Sequence, residues 1–234
     1  MVSAARPAHV HQLVRGLLEE AITAAETRAP AGGVAVLDAG CGRASPLRHF
    51  RARIARLVGA DIHPPLPGAL PHLDEFATVD LCADAAAFPP ASFDVILSNF
   101  TVEHLADPAA AFRHLRRWLR PGGRLVITTV NRRHPFVGAY LALPAGPRGR
   151  LQRLIKASAA DAHPIVGACN DVGSLRRALT DAGFVGVDVV TVGHLASAWG
   201  RTWPTRLLGR AGDAVAQPAA SRRSTIVAMA EVAG

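Results

Sequence analysis

Cysteine is scarce in this chain of 234 residues, and the three present, Cys41, Cys82 and Cys169, stand far apart. None forms the Cys-x-x-Cys pair of a zinc or redox site, so neither a disulfide framework nor a metal centre is expected. The ten histidines are scattered without ligand spacing, which points the same way. Aromatic residues make up only 5% of the chain. They do not interleave with arginines in any recognition motif, so specific nucleic-acid binding is not expected. No apolar run reaches the length of a membrane span. Met1 to Pro7 lacks the charged start and apolar core of a secretory signal, which leads to the expectation of a cytoplasmic protein. Acidic residues are missing altogether between Arg113 and Lys156, a stretch that holds eleven basic ones. Within a net charge of +8, carried almost wholly by arginine, that run is either a solvated face or a contact for an anionic partner. A phosphate-bearing substrate and peripheral contact with a membrane surface both qualify.

What is present is ample apolar material, half of all residues, enough for one α/β domain over residues 1–234. Val10, Leu13, Val14, Leu17, Leu18 and Ile22 recur at helical spacing and predict an N-terminal helix over residues 8–28. Val34 to Asp38 reads as a short buried strand. Pro46 to about Ile54 reads as a basic helix, and Leu57 to Asp61 and Phe76 to Asp80 as further strands. FDVILS, Phe93 to Ser98, is a fourth strand, followed by a helix over Pro108 to Leu119. Pro121-Gly122-Gly123 reads as a tight turn, and Arg124 to Val130 as a fifth strand. This alternation argues for a parallel sheet with helices on both faces. Ligands of such sheets bind beyond the carboxyl ends of the strands, where Asp38, Asp61, Ser98-Asn99 and Asn131 all fall. A helix over Asp171 to Ala182 and strands over Val185 to Val192 and Thr225 to Val232 close the chain. Two Pro/Gly-interrupted excursions, near 132–170 and 195–220, are expected to be irregular and to cover the site. The first carries a short amphipathic piece, Leu151 to Lys156. Trp199 and Trp203 in the second either line a lid or pack, with packing favoured.

The decisive stretch is VAVLDAGCGRASP, Val34 to Pro46. Strand, glycine loop, then Ser45 as helix cap and Pro46 as first helical residue is a geometry that brings backbone N–H groups close to a ligand. A dinucleotide fingerprint would need a third glycine where Ser45 stands. Asp38-Ala39-Gly40-Cys41-Gly42-Arg43-Ala44 instead resembles the first motif of the class I S-adenosylmethionine-dependent methyltransferases, an acidic residue followed by GxGxG, with Ala44 in the last glycine place. Asp61, 23 residues after Asp38, resembles their second motif, and Asp84-Ala85 their third, with Asp80 as the alternative. The longest match is SFDVILSNFTVEHLADPAAAFRHLRRWLRPGGRLVITT, Ser92 to Thr129. TTVNRRHPF resembles a subset often found among small-molecule and glycan-modifying enzymes, with Val130 in a proline position.

The resemblance implies a Rossmann-like, seven-stranded, mostly parallel sheet flanked by helices, with the last strand antiparallel. It implies that Gly40 and Gly42 wrap the methionine part of S-adenosyl-L-methionine. Asp38 would lie near its amino end, Asp61 with Ile62 at the ribose, Asp84 and Ala85 at the adenine, and Ser98 beside the cofactor. The implied reaction is in-line methyl transfer to a small-molecule acceptor, anionic or lipid- or glycan-linked, at an oxygen nucleophile. His104 and His134 are candidate bases, with His163 behind them, Asn131 is placed to orient substrate or cofactor from the end of the fifth strand, and Glu103 either caps a helix or contacts the site. Cys41 and Cys82 read as small core or loop residues. A non-catalytic S-adenosylmethionine-binding protein and an NAD-dependent oxidoreductase are the competing readings.

Overall fold

Val34 to Ala39, VAVLDA, is buried at every position (β1). Such a run, apolar on both faces, suits only the middle of a covered parallel sheet. Its neighbours are β2 (Ile54–Asp61) on one side and β4 (Phe93–Asn99) on the other, both parallel to it. With β3 (Glu75–Thr78), β5 (Leu119–Val130), β6 (Val185–Val192) and β7 (Thr225–Glu231), they form one seven-stranded sheet in the order β3-β2-β1-β4-β5-β7-β6. Only β7 runs against its neighbours. The expected fold class is what the structure shows. The computed structural model describes residues 10–28, 32–42, 45–65, 68, 70–155, 165–198 and 202–234.

Each face of the sheet is covered by a helix layer whose apolar stripe explains its placement. On one face, α1 (Val10–Arg28) buries Val10, Val14, Leu18, Ala21, Ile22 and Ala25, a three-to-four spacing, against Val36, Leu97, Val126 and Val227. On the other, α2 (Pro108–Trp118) and α5 (Val172–Asp181) pack Phe112, Leu115, Trp118, Leu175 and Leu179 over Leu37, Ile96 and Ile127. Asp107 caps α2 through Ala110 N, and Asp171 caps α5 in a capping box with Ser174. No described helix is long and apolar enough to cross a membrane.

Four sequence expectations shift. Pro46 to Arg53 is a tighter 3₁₀ segment, started by Ser45, whose Oγ accepts from Leu47 N, and β2 begins directly after it at Ile54. Pro121-Gly122-Gly123 is not a free turn but a bulge inside β5. Phe93 pairs with Leu119 and Val95 with Arg124, while Gly122 N and Gly123 O bond Val232. The first excursion holds two helices, α3 (Pro135–Ala142) and α4 (Ala145–Ile155), the first started by a proline at its N-terminal turn. The second holds α6 (Leu195–Ala198) and α7 (Trp203–Ala216), the latter fixed by a Thr202–Thr205 capping box. The basic run from Arg113 to Lys156 is also not one continuous face. Arg116 donates to Gly183 O, Arg120 pairs with Asp94, and Arg124 pairs with Glu20 and Glu231.

Asp94 ties three strands together. It is 2% exposed, accepts from Ala35 N at 2.9 Å and pairs with Arg120. Asp94→Ala would leave the buried Ala35 N–H unmatched and take one partner from the half-exposed Arg120, which still donates to Ala91 O, and is expected to lower unfolding free energy by about 1–3 kcal/mol in urea titrations.

Candidate active site

The loop after β1 is held by its neighbour strand. Gly40 N and Cys41 N both donate to Ala60 O, at 2.7 and 3.1 Å. Gly40 has φ +78°, and a Cβ there would lie 2.2 Å from Thr101 Oγ1, so only glycine fits without displacing Thr101. Gly42 N donates to Asp61 Oδ2 at 3.0 Å, and His63 N to Asp61 Oδ1 at 3.2 Å. The carboxylate that ends β2 therefore braces the loop and keeps lone pairs for further donors.

Asp38 lies beneath this loop, 2% exposed, and its Oδ2 has no hydrogen-bond partner among the described residues. Burial pushes its carboxyl up to about 7. A hydrogen bond from Ser45 opposes the shift and the charge of Asp61 adds to it. Burial likewise pushes the Cys41 thiol up to about 12, which leaves it protonated and unreactive.

Over the loop opens a cavity of ≈ 790 Å³. It is lined by Gly40, Gly42, Asp61, Ile62, Asp80 and Leu81, at the strand ends and the loops after them, and by Leu105, Val137, Tyr140, Ile165 and Leu195. His104 lines it too, from the turn after β4.

Other expected residues stand back from the cavity lining. Asp84 Oδ2 accepts from Asp80 N at 2.7 Å, and Ala85 O accepts from Trp118 Nε1 at 3.1 Å, so this pair supports the segment from which Asp80 reaches the cavity. Ser98 is fully buried with its Oγ unpartnered, while Asn99 and Phe100 line the cavity. His134 is fully buried. Its Nδ1 accepts from Phe136 N and Val137 N, its Nε2 faces Gly212 O at 3.2 Å, and burial lowers its pKa. Asn131 spends its amide on Ser221 O and Arg223 O. Arg43, Ala44, Lys156, His163 and Trp199 lie outside the described residues.

The structure adds Phe100 and His194, which motif reading did not weigh, and brings Glu103, read as a helix cap or a site contact, into the cavity lining. Phe100, at φ +55°, stacks on His194, and both line the cavity. Glu103 is 3% exposed, accepts from Thr129 Oγ1 at 2.8 Å, and lines the cavity, while Asn170 Nδ2 donates to the same Thr129 oxygen.

A family model described as a methyltransferase domain matches residues 8–189. The chain belongs to the class I S-adenosylmethionine-dependent methyltransferases. Its curated relatives include a ubiquinone biosynthesis O-methyltransferase of Cereibacter sphaeroides, 38% identical over 109 residues, 44% of each chain. Another, of Pseudomonas paraeruginosa, is 33% identical over 135 residues, 53% of this chain and 58% of the relative. These matches span about half the length of the curated relatives. Among solved structures, Haemonchus contortus phosphoethanolamine N-methyltransferase 2 with S-adenosyl-L-methionine has a TM-score of 0.59 at 17% identity, over 92% of this chain and 53% of that one. A Mesorhizobium loti S-adenosylmethionine-dependent methyltransferase has a TM-score of 0.56 at 18% identity, over 94% and 96%. At that identity they share the fold.

S-adenosyl-L-methionine is accordingly the cofactor of this methyltransferase, and the residues present fit it. A buried carboxylate oxygen at Asp38 with no partner among the described residues suits a cationic amino group, and Gly42, where a Cβ would meet nothing within 4 Å, leaves room for close approach. The cost of that carboxylate without ligand is measurable. Its folded pKa of about 7 lies well above the ordinary aspartate range, so stability is fully present below about pH 4 and is lost as pH rises toward 7. Asp38→Asn removes this loss. It is expected to stabilise the ligand-free protein at pH 8 by an amount on the order of 2–4 kcal/mol, read by thermal melting, and to leave stability near pH 4 little changed.

Proposed function

We propose that this methyltransferase methylates a hydroxyl oxygen of a small, largely apolar acceptor held in the cavity above the glycine loop. The lining carries the reading: Leu105, Val137, Ile165 and Leu195 give it apolar surface, with His104, Tyr140 and His194 as polar groups among them. Such a pocket favours an apolar body with few polar groups to orient it. The names of the curated relatives, O-methyltransferases of ubiquinone biosynthesis, support oxygen as the methylated atom.

In this reading Asp38 orients the cofactor's amino group, and the Gly40–Gly42 backbone follows its methionine part. Asp61 accepts from the ribose hydroxyls, with Ile62 beside them. Asp80, rather than Asp84, faces the adenine edge, because Asp80 is the one that lines the cavity. When bound, S-adenosylmethionine supplies an electrophilic methyl group on sulfur. The chain's share is to align the hydroxyl with that methyl and keep water out. His104 takes the hydroxyl proton as the new C–O bond forms. His134, spent on the start of α3 and on Gly212, positions the cavity lining there instead.

The test uses methyl-labelled S-adenosylmethionine with amphiphilic phenols and aliphatic alcohols beside matched amines. Label is expected in hydroxyl acceptors. His104→Ala is expected to lower kcat about 100-fold or more while cofactor affinity stays within about threefold. Transfer to amines alone would overturn the oxygen assignment. Cofactor binding without transfer to either class would make this a binding protein. An unchanged kcat in His104→Ala would remove that residue's role.

A further inference from the structure

Helix α7 wears its apolar side outward. Trp203 is 76% exposed, Leu207 58%, Leu208 48% and Val215 66%. At about 100° per residue, these four share one arc with Ala211 and Ala214, whereas Gly209, Gly212 and Ala216 are buried on the other side. The buried side is closely seated. A Cβ on Gly209 would lie 2.7 Å from the Ala196 backbone, and one on Gly212 2.9 Å from the Phe136 ring. So α7 is fixed on α3 and α6, and its outward arc is the reverse of what a solvated surface helix carries.

Charge says what covers it. Asp213, the one acidic residue of α7, is turned inward, accepting from Ser224 Oγ at 2.9 Å and Ala196 N at 3.1 Å. Arg206 and Arg210 are exposed and border the apolar arc. The outward surface of α7 is thus apolar with a cationic margin, in a chain of net charge +8. Two copies of this face would bring arginine against arginine. An anionic lipid surface satisfies both the apolar arc and its margin.

We propose that α7 docks the protein in the plane of an anionic bilayer surface. Trp203, Leu207, Leu208 and Val215 enter the interfacial layer, and Arg206 and Arg210 pair with lipid phosphates. Because α7 rests on α3 and α6, which contribute Val137, Tyr140 and Leu195 to the cavity, docking sets that side of the cavity toward the bilayer. This goes beyond the acceptor assignment and does not depend on it.

Co-sedimentation of the full chain with phosphatidylcholine vesicles, with and without about one-third phosphatidylglycerol, tests it. The protein is expected to pellet with the anionic vesicles and not with the neutral ones. Leu207→Glu with Leu208→Glu is expected to weaken partitioning at least about tenfold. Arg206→Gln with Arg210→Gln, which leaves the apolar arc intact, is expected to weaken it about thirtyfold. Thermal melting and S-adenosylmethionine affinity should stay unchanged in both pairs. No pelleting, equal pelleting with neutral vesicles, or wild-type pelleting of either pair would overturn the proposal. Dimerisation in sedimentation velocity that Leu207→Glu with Leu208→Glu abolishes would assign the face to a second copy and overturn it as well.

Discussion

A carboxylate taken out of water without a counter-charge is among the costlier arrangements a protein core can hold. In this chain the organisation of the site follows from one such group. Asp38 is placed in the sheet interior by β1, roofed by a glycine loop, and left with an oxygen that has no partner among the described residues. The loop avoids collapsing onto it because Gly40 and Cys41 hang from Ala60 and Gly42 from Asp61. Burial answers by raising the Asp38 pKa to about 7, so the ligand-free site is poised between its neutral and charged forms. A cationic ligand favours the charged form, and this links the raised Asp38 pKa to cofactor affinity.

The sheet turns this local arrangement into a site. With strand order β3-β2-β1-β4-β5-β7-β6, the carboxyl ends of β1, β2 and β4 come together. Crossing helices cover both faces, and the cavity opens at that edge. Asp61, Asn99 and the turn carrying Glu103 and His104 therefore converge although they are distant in sequence. The excursions after β5 and β6 supply further lining. One cavity thus joins glycine-loop backbone and carboxylates to apolar side chains.

Much of this was legible in the chain, for reasons that can be named. β1 and β4 are buried on both faces, so their apolar runs are unambiguous. Gly40 and Gly42 sit at positive φ, where turn chemistry leaves a mark in composition. The excursions were harder to read. Proline and glycine in α3, α4 and α7 look like loop signals, yet Pro135 and Pro204 lie in first helical turns, and the glycines of α7 permit close packing. The inverted polarity of α7 further hides its periodicity from a rule that expects apolar residues inside. Packing was favoured for Trp203, which is instead largely exposed. Asp84 and Asp80 differ by four positions in one loop, and only the fold decides that Asp80 faces the cavity while Asp84 caps its backbone.

The central claim is that the buried Asp38 carboxylate is the anchor for the cationic end of the cofactor. Calorimetric titration of S-adenosylmethionine across a pH series tests it most directly. Binding requires the ionised form of a group with a ligand-free pKa of about 7. Affinity should therefore fall by up to about tenfold for each pH unit below 7, and Asp38→Asn should abolish that dependence while binding weakly throughout. An affinity that stays constant from pH 7 down to about 5 in the unaltered protein would contradict the account.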